Sequence, residues 1–281
     1  MADAARAAAT RSVVEETQAY YDGAANEIYR EIWGENIHMG IFESPDESLQ
    51  AAMDRSNERM SAPIGLTPSH RVLDVGCGYG ALARYLAATY GCTVLATNIS
   101  ERELEWGREL TEKDRLDDKV SFAWADFHDL QFDDASFDVY WSQEAFLHAA
   151  DKNRVLEEAF RVLRPGGRLV FSDLLVRHGT PQADRERIYD RVKSPDMWDA
   201  PDYRAALEAA GFRIAIDEDW SSNVAPSYGW VRARLEDRRE QFSRRIGEDV
   251  VDRTSDALQF WVDSAHAGKI GWAYFVADKP E

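Results

Sequence analysis

A short apolar run that ends in three closely spaced glycines constrains this chain more than any other feature. The segment Val72-Leu-Asp-Val-Gly-Cys-Gly-Tyr-Gly80 predicts a buried strand, a glycine-rich turn and the start of a helix. Glycine permits unusual backbone dihedral angles and lets the main chain approach a ligand closely. The spacing Gly76-x-Gly78-x-x-Ala81 also fits a dinucleotide fingerprint, and one such match leaves the ligand open.

Strands and helices alternate on both sides of this turn. Apolar runs predict strands over 71–75, 93–97, 120–124, 137–141, 168–172, 212–216 and 270–276. The alternation predicts an α/β protein with a Rossmann-like, doubly wound, mostly parallel seven-stranded sheet and helices on both faces. Helices from the N-terminus and from a C-terminal insert are expected to cap the carboxyl edge of the sheet, where such folds bind ligands.

The charge balance excludes several classes of partner. Lys and Arg number 33 and Asp and Glu number 51, so the formal net charge is −18. Such a surface repels nucleic acid and anionic membranes. Cys77 and Cys92 lack metal-ligand spacing, and no apolar run is long enough to span a bilayer or to act as a secretory leader. We therefore expect a cytoplasmic protein without a metal ion.

Polar residues follow three of the predicted strands. Asp74 stands just before the glycines, where a carboxylate suits an ammonium group and repels a pyrophosphate. Asn98 follows the second strand, within reach of ribose hydroxyls. Asp126 and Phe127 follow the third strand and offer an acceptor for an exocyclic amine beside a ring that packs on a base. An ammonium, a ribose and an adenine in this order describe S-adenosylmethionine.

Over residues 70–175 the chain resembles the class I S-adenosylmethionine-dependent methyltransferases. Besides the segments above, the resemblance rests on Phe137-Asp-Val-Tyr-Trp-Ser142 and Leu163-Arg-Pro-Gly-Gly167. It implies that Asp74, Gly76 and Gly78 hold the methionine end of the cofactor. It also implies cofactor contacts for Trp33, Asn98, Ile99, Asp126, Phe127 and Gln143. Many members carry an acid where Asn98 stands, so ribose binding is expected to be weaker here.

The flanks resemble the sarcosine/dimethylglycine N-methyltransferases of glycine betaine synthesis. The segments concerned are Tyr20-Tyr-Asp22, Trp33–Gly40, Trp141–His148, Ser227–Arg232, Asp237-Arg-Arg239 and Lys269–Phe275. This resemblance covers nearly the whole chain and implies methylation of sarcosine, dimethylglycine or both toward betaine, a compatible solute. One departure lies near the acceptor, because Asp173 is followed by Leu174-Leu175 where the family often shows Pro-Met.

The resemblance also suggests how the chain is divided. Residues 1–68 are expected to form an N-terminal helical lid, and residues 69–175 the Rossmann-like core that binds S-adenosylmethionine. Residues 176–281 are expected to supply cap helices on the acceptor side and the last strands of the same domain. A small-molecule amine is the expected partner, and the protein is expected to be a monomer or a homodimer.

The acceptor site needs groups for a cation, a carboxylate and a proton. Arg177 and Arg232 are the candidates for a substrate carboxylate. His148 is the main candidate base, with Asp173 to orient it, although a structural role for His148 stays open. His38 is interpreted as a lid contact. Aromatic faces stabilise quaternary ammonium groups, and the candidates are Tyr20, Tyr21, Trp33, Tyr228 and Trp230.

Three other functions stay open at this point. O-methylation of a natural-product sugar or a similar hydroxyl would use His148 as its base, paired with Asp173. A non-catalytic module would bind S-adenosylmethionine without turnover. An NAD dehydrogenase would bind NADH, which the charge of Asp74 opposes.

Overall fold

The computed structural model describes residues 12–18, 31–44 and 46–281. The strands are β1 (Arg71–Val75), β2 (Thr93–Asn98), β3 (Val120–Trp124), β4 (Phe137–Gln143), β5 (Leu163–Val176), β6 (Arg213–Asp219) and β7 (Ile270–Asp278). The helices are α1 (Leu49–Ser61), α2 (Ala81–Tyr90), α3 (Glu101–Lys113), α4 (Lys152–Val162), α5 (Gln182–Val192), α6 (Ala200–Ala209), α7 (Val224–Asp237), α8 (Arg239–Ile246) and α9 (Glu248–His266). Residues 12–18 and 31–33 are also helical. Within the described ranges, none of the helices combines the length and the apolar character needed to cross a membrane.

The seven strands form one sheet in the order β3-β2-β1-β4-β5-β7-β6. The pairs β1–β2, β1–β4, β2–β3 and β4–β5 are parallel. Strand β7 runs antiparallel between β5 and β6. The Rossmann-like, mostly parallel seven-stranded sheet is therefore confirmed. The strand order reverses between β1 and β4, which is where a ligand crevice forms in open α/β sheets.

The core covers both faces of the sheet because successive strand residues point to opposite sides. Val72 and Trp141 belong to the apolar cluster on one face, and Leu73 and Tyr140 belong to the cluster on the other. All four are fully buried. Strands covered on both faces read as continuous apolar runs, which is why the sequence predicts them so directly.

Side-chain caps set where the helices beside the sheet begin. The Ser100 hydroxyl accepts a hydrogen bond from the amide of Glu103 at 3.2 Å, and the Asp151 carboxylate accepts one from the amide of Arg154 at 3.2 Å. These bonds satisfy amides that have no partner inside the helix. The Glu103 carboxylate accepts a hydrogen bond of 2.7 Å from the Asn98 side chain at the end of β2.

Two segments differ from the sequence prediction. Strand β5 already begins at Leu163, so the Pro165-Gly-Gly167 stretch belongs to the strand and is not a turn before it. Backbone hydrogen bonds of 3.0 and 2.8 Å join Gly166 and Gly167 to Lys279 beyond β7, and the register of β5 against β4 shifts across this stretch. The polar stretch after residue 176 contains helix α5, which has one fully buried residue, Ile188. A single apolar anchor produces little periodicity in the sequence.

Candidate active site

An open cleft lies at the carboxyl ends of β1 to β4 and encloses about 980 Å³ up to its solvent mouth. Val14, Thr17 and residues 35–38 contribute to its wall from the N-terminal side. Parallel strands end at the same edge of a sheet, so polar residues that follow them meet in one place. Nine residues with a predicted cofactor or catalytic role line this cleft: Asp74, Gly76, Gly78, Asn98, Ile99, Asp126, Phe127, Gln143 and His148.

The glycine turn after β1 brings the main chain close to this cleft. Gly76 and Gly78 have φ angles of +72° and +51°, in the left-handed region that favours glycine. A Cβ atom on Gly76 would lie 2.4 Å from the Cβ of Ala145, so a larger residue does not fit. The amides of Gly76 and Cys77 donate to the Thr97 carbonyl at 2.9 and 3.0 Å, which ties the turn to β2.

Asp74 presents a buried carboxylate at the centre of the cleft. It is only 1% exposed, and burial raises its pKa to about 7. Its Oδ2 atom has no hydrogen-bond partner among the described residues. Buried polar atoms are normally paired, so this oxygen calls for a donor from a ligand. An ammonium group fits, because it would satisfy the oxygen and favour the charged carboxylate.

Asn98 lines the cleft, but its side chain is engaged within the protein. Its Oδ1 accepts hydrogen bonds from the amides of Ile99 and Ser100 at 2.7 and 3.2 Å. Its Nδ2 donates to Oε2 of Glu103 at 2.7 Å. Little capacity remains for ribose hydroxyls. Glu103, which is 2% exposed and lines the cleft, provides a carboxylate where position 98 has none.

Asp126 and Phe127 lie side by side in the cleft after β3. The amide and the ring Nδ1 of His128 lie 2.9 and 2.7 Å from Oδ1 of Asp126. Burial raises the pKa of Asp126, but these contacts outweigh burial and leave the pKa below its usual range. The carboxylate is therefore charged at neutral pH, and its Oδ2 can accept from an exocyclic amine. The Phe127 ring lies beside it, half-buried in the cleft wall.

The other two predicted cofactor contacts have different positions. Gln143 lines the cleft, and its Nε2 donates to Asn57 in α1 at 3.1 Å. Trp33 lies outside the cleft lining and packs edge-on against Tyr228, with ring centroids 5.8 Å apart. The contact predicted between Trp33 and the cofactor therefore has no counterpart in this arrangement.

His148 lines the cleft as a neutral imidazole. Burial, with a further contribution from the charge of Lys152, lowers its pKa to about 4. Asp173 is 1% exposed and lies outside the cleft lining, and its Oδ2 accepts a hydrogen bond from the Tyr203 hydroxyl at 2.5 Å. Burial raises the pKa of Asp173 to about 7, although the bond from Tyr203 opposes this rise. An orienting role of Asp173 toward His148 stays a prediction.

Among the described aromatic residues expected to surround a quaternary ammonium, Trp33, Tyr228 and Trp230 lie outside the cleft lining. Tyr228 is 5% exposed and packs against Trp33 and Trp261, with ring centroids 5.8 and 4.6 Å away. Helix α7 places this ring in the apolar core, and a contact of Tyr228 with the substrate stays a prediction. Tyr20 and Tyr21 lie outside the described residues.

The two arginines expected to bind a substrate carboxylate also lie elsewhere. Arg177 contacts the carboxylates of Asp199 at 3.0 Å and Asp219 at 2.6 Å, which neutralise its charge outside the cleft. Arg232 lies on α7, away from the cleft lining. Their role in binding a substrate carboxylate stays a prediction, because spacing along the chain does not show which of many arginines faces a distant cleft.

A glutamate that the sequence interpretation left without a role lines the cleft directly after β4. Glu144 adopts a φ angle of +46°, which is uncommon for a residue with a side chain. Its Oε1 accepts from Ser172 at 2.6 Å and from the Trp272 indole at 2.7 Å, and its Oε2 accepts from the amide of Met39 at 2.9 Å. Burial raises its pKa to about 7 although these bonds lower it. Its position just after a parallel strand, like that of Asp126, was the available signal.

Comparison with known proteins agrees with this geometry. Residues 73–171 match the family model described as a methyltransferase domain. A sarcosine/dimethylglycine N-methyltransferase from Halorhodospira halochloris is 37% identical over 265 residues, which cover 93% of this chain and 95% of that protein. The 27-O-demethylrifamycin SV methyltransferase from Amycolatopsis mediterranei is 32% identical, with 93% and 96% covered.

Solved structures share the fold of this chain. A Galdieria sulphuraria protein, provisionally assigned as a sarcosine dimethylglycine methyltransferase, has a TM-score of 0.86 at 26% identity and covers 92% of this chain and 99% of its own. A phosphoethanolamine N-methyltransferase from Haemonchus contortus, solved with S-adenosylhomocysteine, shares the fold with a TM-score of 0.80 at 21% identity, covering 95% of this chain and 61% of its own.

The sheet, the glycine turn and the cleft beside Asp74 define a Rossmann-like methyltransferase, whose methyl donor is S-adenosylmethionine. The chain belongs to the family of S-adenosylmethionine-dependent methyltransferases that includes the sarcosine/dimethylglycine N-methyltransferases.

Proposed function

We propose that this enzyme methylates the nitrogen of a small aliphatic amine, with sarcosine and dimethylglycine as its substrates and glycine betaine as the end product. The observation that carries this proposal is the charge of the cleft. Its described lining contains five carboxylates, from Glu35, Asp74, Glu103, Asp126 and Glu144, and neither Lys nor Arg. Such a lining attracts the ammonium group that sarcosine and dimethylglycine carry at neutral pH, whereas the partner of their carboxylate lies outside this lining. The choice of sarcosine and dimethylglycine among small aliphatic amines follows the activity named for the relative from Halorhodospira halochloris.

The donor occupies the part of the cleft between β1 and β3 in this proposal. Asp74 would bind its ammonium group, Glu103 its ribose hydroxyls, and Asp126 with Phe127 its adenine. The bound donor supplies a methyl group on a positively charged sulfur, which is an electrophile. Asp74, Glu103 and Asp126 would hold the donor at three separated points, which would restrict its orientation in the cleft.

The remaining part of the protein would hold the acceptor and exclude water. Val14, Thr17 and residues 35–38 lie against the cleft, which supports a lid role for residues 1–68. The core 69–175 carries the donor residues, and residues 176–281 would act as a cap that fastens this lid. Ser227 of α7 lies 3.3 Å from the amide of Gly40, and Asn223 lies 2.9 Å from the amide of Phe42. Shielding from solvent strengthens electrostatic positioning of the amine.

A panel of acceptors tests the proposal. Purified protein is incubated with S-adenosylmethionine and sarcosine, dimethylglycine, N-methylethanolamine or dimethylethanolamine, and methylated product is measured by mass spectrometry. Methylation of the two amino acids is expected. The ethanolamines have the same amines without a carboxylate, so a preference for them would reject the substrates proposed here while keeping N-methylation. No turnover with any amine would reject amine methylation altogether.

O-methylation is the second candidate, and the neutral imidazole of His148 in the cleft favours it. A neutral histidine can accept a hydroxyl proton, and general base catalysis contributes about 10²–10⁴-fold in rate. Turnover of hydroxylated natural products in the absence of amine turnover, together with loss of that activity in His148→Ala, would establish this alternative.

A further inference from the structure

Glu144 and His38 line the cleft on the far side of Asp74 from the adenine end. The sheet order β3-β2-β1-β4 places Asp126 after β3, Asp74 in β1 and Glu144 after β4. A donor that extends from Asp126 to Asp74 therefore leaves the region of Glu144 for the acceptor. The donor contacts proposed above use neither Glu144 nor His38.

The Glu144 carboxylate is fixed by three donors from three distant parts of the chain. Ser172 and Trp272 both donate to its Oε1, and the Met39 amide donates to its Oε2. A carboxylate has about four acceptor positions, so Oε2 retains one for a ligand. The positive φ angle of Glu144 is a second, independent indication that this residue has a functional role, because strained backbone positions cluster at functional sites.

His38 also lines this cleft and carries a buried acceptor atom. Its Nδ1 lies 3.0 Å from the carbonyl oxygen of Met39, and since a carbonyl only accepts, Nδ1 carries the proton. Burial lowers the pKa of His38 to about 4, so the ring is neutral and Nε2 holds a lone pair. The side chain is 7% exposed, and its Nε2 lacks a hydrogen-bond partner in the described parts of the chain.

Met39 joins the two groups, because its amide contacts Glu144 and its carbonyl contacts His38. We propose that Oε2 of Glu144 and Nε2 of His38 form the subsite for the acceptor's amino group, which enters as an ammonium ion. The nitrogen attacks only after one N–H proton has passed to Glu144; this step breaks that N–H bond, forms the carboxyl O–H bond and leaves the nitrogen's lone pair free for the methyl group. This inference rests on the proposed N-methylation. A secondary ammonium has two N–H groups and uses both atoms. A tertiary ammonium has one N–H group, which pairs with the charged carboxylate of Glu144.

The subsite therefore predicts a difference between acceptors. In His38→Asn the shorter amide still donates to the Met39 carbonyl, whereas the acceptor atom in the cleft is lost. We expect the KM for sarcosine to rise about tenfold, the usual effect of losing a hydrogen bond to a charged group, and the KM for dimethylglycine to change little. Glu144→Gln should raise the KM for both amines by at least about tenfold, because both need the carboxylate.

Controls separate this role from a structural one. His70→Ala removes a histidine that lies outside the cleft lining and contacts Thr67, so amine KM values should stay within about twofold. Binding of S-adenosylhomocysteine, measured by calorimetry, should be unchanged in all three variants. If Glu144→Gln proves too unstable, His38→Asn alone decides the question.

Two outcomes would overturn the subsite. Equal KM values in wild type and in both cleft variants would show that these atoms do not touch the amine. A rise in KM matched by an equal loss of S-adenosylhomocysteine affinity would show that they only support the donor site. Absence of amine turnover in the wild-type enzyme is a different result, which rejects the proposed function itself.

Discussion

The donor half and the acceptor half of the cleft are built in different ways. The donor half is lined by residues from the ends of β1, β2 and β3, within 74–128, and each lies on or beside a strand end. The acceptor half combines His38, Glu144 and His148 with supporting contacts from β5 and β7. Its shape therefore depends on segments more than 200 residues apart in the chain.

The polar groups of the two halves also differ in their surroundings. Asp126 is kept charged by His128, and Glu103 accepts a hydrogen bond from Asn98, so these donor-side carboxylates have protein partners. Across the cleft, burial leaves His38 and His148 neutral at pH 7. In the donor half, carboxylates held by protein partners suit a ligand whose positive charge is always present. In the acceptor half, neutral histidines leave hydrogen-bonding positions that can change with the bound substrate.

The largest effect is expected at the centre of the donor half. Asp74→Ala should weaken binding of S-adenosylhomocysteine on the order of 100-fold, because the ammonium group would lose its buried carboxylate partner. Isothermal titration calorimetry measures the change, and Asp134→Ala, which alters an exposed carboxylate paired with Arg161, is the control. An unaltered affinity in Asp74→Ala would show that the donor does not use this residue.

A smaller effect is expected on stability at the ribose position. In Asn98→Asp a second carboxylate would face Glu103 across the present 2.7 Å contact, and the variant should lose about 1–3 kcal/mol of unfolding free energy. Adding Glu103→Gln to that variant should recover most of the loss, because the substituted amide can donate to the new carboxylate. Urea unfolding of the wild type, Asn98→Asp, Glu103→Gln and the double variant measures the coupling free energy between the two side chains. Additive effects would contradict a direct contact between the two side chains.

Donor binding should depend on pH because it requires the charged form of Asp74. Burial holds the pKa of Asp74 near 7, so below that pH the free protein carries a proton there which the ammonium must displace. Affinity should therefore fall as pH decreases below 7, by at most about tenfold per pH unit for a single proton. Calorimetry between pH 5.5 and pH 8, about the useful range around that pKa, measures the slope. Asp74→Asn should flatten it, and an equal slope in that variant would assign the proton to another group.

The smallest effect is expected for His148 in amine methylation. In the proposed subsite the proton of the amine passes to Glu144, so His148→Ala should reduce kcat for sarcosine less than about tenfold. Steady-state kinetics measures this value, with His70→Ala on the exposed surface as the matched control. A loss of 100-fold or more, on the order expected for a true general base, would place the base in the acceptor half after all.

Much of the donor half could be predicted because its signals are local. The glycine turn, Asp74 and Asp126 each lie immediately beside an apolar run that could only be a buried strand. Asn98 was recognised for the same reason, but its engagement with Glu103 could not be predicted. That contact depends on the first turn of α3 folding back toward β2, and helical periodicity does not specify a rotamer.

The acceptor half could not be predicted in the same way. Arg177 and Tyr228 are of suitable chemical types, yet the fold places one against two carboxylates and the other in the core. Glu144 is held in the cleft by hydrogen bonds from the Met39 amide and the Trp272 indole. The sequence does not predict these contacts, because both donors are distant from Glu144 along the chain. Helix α5 lies within the predicted cap, but its bounds could not be predicted because its burial depends on one apolar residue, Ile188.

Strand-forming runs, the turn glycines and the acids beside them are specified by neighbours within a few positions, so the order of residues was enough to establish the sheet and the donor. Which charged and aromatic side chains reach the cleft was decided only when distant segments packed together. The physical reason is that backbone preferences act over short stretches of chain, whereas burial and hydrogen bonding of a side chain depend on every segment that surrounds it.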